Sequence, residues 1–217
     1  MTGKQASPPR FITLEGGEGA GKSTQARHLV EALKEAGLDP LLTREPGGSP
    51  GAEQIRALLV EGAAGRWDPL TETLLHFAAR RDHLTKTITP ALAAGRWVVC
   101  DRFADSTRAY QGFGLGLDRE IIEMLYRQVV DDGAPDLTLI LDLPAEEGLR
   151  RTATRTHAET RYERMDEAFH QRLREGFLTL AREEPRRCVV VDASRDVESV
   201  QSAIRAAVRE RFGIAIP

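Results

Sequence analysis

An α/β fold with a largely parallel sheet, covered on both faces, is predicted by three observations. Short apolar runs of strand character recur along the chain, separated each time by helical patterns, and that alternation builds buried parallel sheets. The first run, Phe11-Ile12-Thr13-Leu14-Glu15, feeds directly into Gly16-Gly17-Glu18-Gly19-Ala20-Gly21-Lys22-Ser23 and then into a helix. Gly16, Arg44 and Asp101 all fall at the ends of such runs, where open α/β sheets bind their ligands.

Taken in order, residues 1–9 read as a flexible polar leader and 10–217 as one domain, long enough for a single sizeable core. The first strand spans Arg10 to Glu15. A helix follows from Lys22 to Ala36, with Ala26, Leu29, Val30 and Leu33 on one face and Gly37 ending it. Pro40 to Thr43 is a short second strand, and the Gly- and Pro-rich stretch from Arg44 to Gly51 is a loop. A helix beginning near Ala52 carries Ile55, Leu58 and Leu59 inward and Arg56 to the other side. Gly62 to Pro69 breaks the pattern, and a long helical run from Leu70 to Ala94 stops at Gly95. Trp97 to Cys100 is a strand ending at Asp101, and Asp105 to Gly112 starts as a helical turn. Asp118 to Val130 is helical, Leu137 to Leu141 is a buried strand, and Ala145 to about Thr154 is helical again. An arginine-dense stretch, Arg150 to Arg164, precedes a helix from Asp166 to Glu183. The last strand, Cys188 to Val191, and a helix from Val197 to Phe212 complete the chain.

Composition narrows the function. Hydrophobic residues make up 41% and charged residues 29%, ordinary for a globular protein, and the net charge of -3 excludes a chain built to coat nucleic acid. The leader lacks the apolar centre of a signal peptide, and no run is long enough to cross a bilayer, so a cytoplasmic protein is expected. Cys100 and Cys188 stand far apart, outside any paired spacing, and read as buried reduced thiols.

The glycine-rich stretch is a P-loop: Gly16, Gly17, Glu18, Gly19, Ala20 and Gly21 wrap a polyphosphate with backbone N–H groups, and Lys22, Ser23 and Thr24 open the helix whose N-terminus receives it. A side chain at Gly16 or Gly21 is expected to obstruct that approach. Lys22 reaches toward the β and γ phosphates. The Ser23 hydroxyl is a ligand for Mg²⁺, with the Asp101 carboxylate placed to hold the same ion through water. No Asn-Lys-x-Asp run is present for guanine. Arginines are conspicuous instead: Arg44, Arg56, Arg80, Arg81 and Arg102, then Arg150, Arg151, Arg155, Arg161 and Arg164, the side chains suited to holding two phosphorylated substrates together. Arg186, Arg187 and Arg209 read as solvated surface charges.

Thr43-Arg44-Glu45-Pro46-Gly47-Gly48, Asp101-Arg102-Phe103 with Asp105-Ser106-Thr107 and Ala109-Tyr110-Gln111-Gly112, and Pro135-Asp136-Leu137-Thr138-Leu139-Ile140-Leu141-Asp142 together resemble the bacterial thymidylate kinases over about Phe11 to Phe177. The resemblance implies a P-loop NTPase fold with a five-stranded parallel sheet and a mobile lid (about 150–164), a homodimer, and Mg²⁺-dependent transfer of the ATP γ-phosphoryl group to dTMP. It implies that Glu18 faces the acceptor phosphate and sugar, that Arg102 clamps that phosphate with Arg44, Arg56 and Ser106 nearby, and that Pro46 lies against the base. Arg80, Thr107 and Gln111 match the residues that read thymine, and Tyr110 the ring that crowds the 2′ position. The stacking position falls on His76, with the phenylalanine, Phe77, one residue further on; adjacent helix positions point about 100° apart, so one of the two stacks. With no arginine among Gly17, Glu18, Gly19 and Ala20, the resemblance moves the catalytic arginine to the lid, where Arg151 contacts ATP and Arg155, or alternatively Arg161, meets the γ-phosphate. A kinase for another nucleoside monophosphate and a non-catalytic nucleotide-binding regulator are the alternatives.

Overall fold

The computed structural model describes residues 8–61, 65–153, 162 and 165–217. Five strands, β1 Phe11–Glu15, β2 Pro40–Arg44, β3 Trp97–Asp101, β4 Leu137–Asp142 and β5 Cys188–Asp192, form one sheet in the order β2-β3-β1-β4-β5, every pairing parallel. All five residues of the central β1 are buried, as a strand with helices on both faces requires. Its register pairs Leu14 with Asp101, and Arg44 in turn pairs with Asp101, so the P-loop, β2 and β3 end level at one rim.

Helices α1 Lys22–Glu35, α2 Pro50–Val60, α3 Pro69–His83, α4 Thr89–Ala93, α5 Ala104–Thr107, α6 Arg119–Val129, α7 Ala145–Ala153, α8 Glu167–Glu183 and α9 Val197–Phe212 cover the sheet. Their starts follow local chemistry. The Asp68 carboxylate accepts from the Leu70 and Thr71 amides, and Asp118, Asp166 and Asp196 cap α6, α8 and α9 in the same way. One core joins β1, β3 and β4 to α1 and α9 through Ile12, Leu14, Leu29, Leu33, Val99, Ile204 and Val208. On the opposite face Phe11, Ile88, Val98, Cys100 and Phe103 pack together, and Tyr110, Ile140, Phe169 and Phe177 form a third cluster.

Four sequence expectations are refined. The long run from Leu70 to Ala94 is helical but wound as a π-helix over Leu84–Ile88, before Pro90. A second π segment, Arg108–Gly114, extends the turn expected to begin at Asp105. In α2, Leu59 is buried but Ile55 is only partly so and Leu58 is 39% exposed; α3 covers the face of Ala52 and Leu59 and leaves the next apolar position outside. Arg187 is not a solvated surface charge. Its guanidinium contacts Asp105, Thr138 and Glu184, and Arg108 joins the same carboxylates, because the buried Asp105 requires cationic partners. Arg186 and Arg209 are exposed as expected. Cys100 and Cys188 are free and buried.

Candidate active site

The level strand ends surround a cavity of about 310 Å³. Gly19, Gly21, Lys22, Ser23 and Thr24 line one end. Arg44, Pro46, Arg56, Asp101, Arg102 and Ser106 line its middle together with Glu18 and Tyr110, whose side chains meet each other, and His76, Arg80, Thr107, Gln111 and Tyr162 its far end. Segments as far apart in the chain as Glu18 and Tyr162 are thus gathered around one space. Among the expected site residues, Gly16, Gly17, Ala20, Phe77 and Arg151 do not line it.

The P-loop glycines are required for reasons that differ from the expectation. A Cβ at Gly16 would lie 2.4 Å from the Leu141 carbonyl oxygen, so strand β4, and not a phosphate, excludes a side chain there. Gly21 has open space around it, but its φ of 85° is a left-handed conformation that favours glycine. Lys22 Nζ donates to the Gly17 carbonyl at 2.7 Å. Burial, then the adjacent Arg102 charge, lowers the Lys22 ammonium to about 8 against the pull of Glu18 and Asp101. The Ser23 hydroxyl donates directly to the Asp101 carboxylate. These are two hard oxygen donors side by side, and Mg²⁺ is typically held by one or two protein oxygens with substrate phosphate and water completing the shell. The donor set therefore fits that ion. No group of three or more His, Cys, Asp or Glu side chains with metal-binding geometry occurs among the described residues.

Arg102 is the hub. It adopts a φ of 70°, rare for a side chain that is not glycine, and its backbone is pinned where its N–H meets the Leu14 carbonyl and the next amide, Phe103, donates to Glu15 at 2.7 Å. Its guanidinium donates to both Glu18 oxygens at 3.2 Å, to the Gly16 carbonyl at 2.9 Å and to Ser106, and lies 5.0 Å from the centre of the Tyr110 ring. Burial opposes ionisation of the Glu18 carboxyl, but Arg102, then Lys22 and the Tyr110 hydroxyl at 2.6 Å, outweigh it and hold the group down at about 2. Glu18 is therefore an acceptor throughout the working pH range. Tyr110 is pushed well above its ordinary range, chiefly by burial, and stays a neutral donor.

Sequence reasoning missed the carboxylates behind these arginines. Glu15, fully buried, receives Phe103 N–H and the Ser106 hydroxyl; burial, then the neighbouring Asp105 charge, pushes it up to about 8. Glu45 accepts from Arg80 Nε at 2.8 Å and pairs with His83, which also meets Thr43. The Arg80 guanidinium further donates to the Phe103 carbonyl and the Thr107 hydroxyl, leaving Nη1 buried without a partner among the described residues. Acidic residues at the end of a strand or before Pro46 carry no local sign of their partners, which come from other elements.

His76, and not Phe77, belongs to the cavity wall. Phe77 is 2% exposed and its ring lies against the Arg80 guanidinium, 4.9 Å away, so it supports Arg80 from behind. Arg44 pairs with Glu53 at 3.1 Å, and Arg56 donates to the Pro46 carbonyl at 2.7 Å, shaping the loop between them. Arg151 pairs with Glu147 and donates to the Ala193 carbonyl, on the loop after β5 beside the P-loop. That proximity is closed by a glycine pair: a Cβ on Gly19 would lie 2.3 Å from the Gly148 carbonyl oxygen of α7. Arg155 and Arg161 lie outside the described residues.

Comparison with known proteins adds independent findings. The thymidylate kinase family model matches residues 14–204. Thymidylate kinase of Caulobacter vibrioides is 57% identical over 204 residues, covering 94% of this chain and 98% of the relative. That of Jannaschia sp. is 53% identical over 208 residues, covering 96% and 100%. The crystal structure of thymidylate kinase from Ehrlichia chaffeensis superposes with a TM-score of 0.76 at 35% identity, covering 93% of this chain and 99% of that one.

Proposed function

Because the chain belongs to the thymidylate kinase family and phosphorylates dTMP in dTTP synthesis, we propose how its residues divide that work, with ATP as donor. The triphosphate occupies the P-loop end, cradled by the backbone from Gly16 to Gly21 with Lys22, Ser23 and Thr24, and Arg151 stands on the donor side. The acceptor occupies the far end: Arg44, Arg56, Ser106 and Arg102 around its phosphate, Glu18 and Tyr110 at the sugar, and Pro46, His76, Arg80, Thr107 and Gln111 around thymine. Ser23 and Asp101 would hold Mg²⁺, which supplies neutralisation of phosphate charge when bound. The protein acts as a homodimer in the cytoplasm, with residues 10–217 as one kinase domain. Leu58, Leu70 and Leu74, 39%, 40% and 48% exposed on α2 and α3, support a face available to a second copy. No helix among the described residues is long and apolar enough to cross a membrane.

The observation that carries this reading is a single cavity with Lys22 at one end, Arg80 at the other and Arg102 between. No general base is required, because the attacking phosphate oxygen, with a second pKa of about 6, is already largely ionised. The side chains align the two substrates and neutralise charge: Lys22 and Arg102 flank the migrating group, and Glu18 keeps Arg102 in place. Two variants separate the ends. Lys22→Ala is expected to abolish dTDP formation while calorimetry finds dTMP affinity unchanged. Arg80→Met is expected to raise the dTMP KM about thirtyfold by removing a charged hydrogen bond, with the ATP KM unmoved. An unchanged dTMP KM in Arg80→Met contradicts the assignment of the base end.

The charge on Lys22 also predicts a pH profile. Its ammonium is fully present well below about 8 and lost as pH rises through that value. At saturating dTMP, kcat/KM for ATP should therefore fall on the alkaline side, about tenfold per pH unit. A profile that stays flat well above that pH would show that the Lys22 ammonium is not lowered into this range or that its charge is not needed for ATP, and the Lys22→Ala variant separates the two.

A further inference from the structure

Resting on the reading of the far end of the cavity as the base subsite, we propose that Glu72 determines base choice by fixing which end of the Gln111 amide meets the nucleobase. Glu72 is 2% exposed on α3, has no place in the P-loop or in any motif of the site, and does not line the cavity. Its carboxylate nevertheless accepts a hydrogen bond from Gln111 Nε2 at 2.7 Å and another from the Tyr162 hydroxyl. Gln111 Nε2 also lies 3.1 Å from the Tyr162 oxygen.

Glu72 Oε1 is the acceptor in both contacts. The Tyr162 proton is directed to Glu72, which leaves the Tyr162 oxygen as an acceptor as well. Both partners of the Gln111 amide thus demand its NH₂ end, and a flipped amide would set its carbonyl against two acceptors. Gln111 Oε1 is consequently turned away from them, and it is buried without a partner among the described residues. Among the described residues, Arg80 Nη1 is a second buried atom without a partner at this end of the cavity. One free acceptor and one free donor are complementary to a base edge carrying an N–H donor beside a carbonyl acceptor, the N3–H and O4 of thymine. Cytosine presents the reverse, an acceptor at N3 beside an amino donor at N4. Arg80 alone is a donor whatever its surroundings; the amide of Gln111 is ambiguous until Glu72 orients it. Glu72 is thus a positioning residue acting through Gln111.

The test is a double-mutant cycle read on dTMP and dCMP with the full-length chain. Glu72→Gln, whose own amide accommodates either orientation of Gln111, is expected to raise the dTMP KM about tenfold with kcat nearly unchanged, and to shrink the dTMP over dCMP preference in kcat/KM about fivefold. In a Gln111→Leu background the same substitution should have no further effect on either quantity. An equal penalty in both backgrounds overturns the proposal, since Glu72 would then act through packing alone. An unmoved dTMP KM in Gln111→Leu overturns the reading of the base subsite, and the proposal with it. Should Glu72→Gln fail to fold, Glu72→Asp, which keeps the charge but withdraws it by one methylene, runs the same cycle with the same two outcomes.

Discussion

Arg102→Lys is expected to lower kcat about a thousandfold, the scale on which a guanidinium acts in phosphoryl transfer. The lysine keeps one positive charge but not the planar fork that spans Glu18, the Gly16 carbonyl and Ser106 together. Both residues bear a Cβ, so the left-handed backbone at φ 70° is no more strained in the variant, and the loss can be read as chemistry. The dTMP KM should rise as well, because the same fork is placed to meet the acceptor phosphate. Arg102→Ala separates a second effect. Without its guanidinium, the Glu18 carboxyl loses the largest influence opposing its burial and should titrate well above its present value of about 2. Carbon-detected NMR titration of Glu18 in wild type and variant measures this shift. Retention of kcat in Arg102→Lys would mean that only a point charge is needed and that the fork has no part in the transition state.

Arg155→Ala is expected to reduce kcat by about three orders of magnitude while leaving the dTMP KM within a few-fold. The argument starts from the P-loop, where Gly17, Glu18, Gly19 and Ala20 place no arginine near the γ-phosphate. Arg102 is held by Glu18 and Lys22 Nζ donates to the Gly17 carbonyl, and on the proposed reading the first serves the acceptor and the second the donor phosphates. A further cation, added to Lys22 and Arg102 as the group migrates, must come from elsewhere, and the arginine-dense stretch after α7 is the source the family resemblance assigns. A group acting only in the transition state lowers kcat and kcat/KM together and leaves ground-state binding alone. Arg161→Ala is the paired measurement. If it, and not Arg155→Ala, suffers the loss, the catalytic arginine sits six residues later in the chain than proposed.

Much of the fold was legible because it depends on local patterns. Short apolar runs identify all five strands, β1 and β3 sharpened by the P-loop glycines and by Gly95, and neighbouring motif residues such as Lys22 and Ser23 are positioned by the backbone that connects them. Errors arose where a side chain's surroundings depend on a distant element. Leu58 has the periodicity of a buried residue, yet α3 covers a neighbouring face of α2. Arg187 has the composition of a surface charge, yet Asp105, 82 positions away, takes it inward. His76 and Phe77 are separated by one helical step, and the packing of α3 against the rest of the molecule turned the histidine toward the cavity and the phenylalanine beneath Arg80.

By itself, then, the order of residues determined the parallel α/β architecture, the glycine-rich loop between β1 and α1 and the resemblance to the thymidylate kinases, because backbone conformation and motif spacing are short-range properties. Only the tertiary structure decided which carboxylates hold those arginines, Glu18 on Arg102 and Glu45 on Arg80, and that Glu72 orients Gln111. The physical reason is that a buried polar group must find a partner, and the partner is chosen by which elements packing brings within about 3 Å, whatever their separation along the chain.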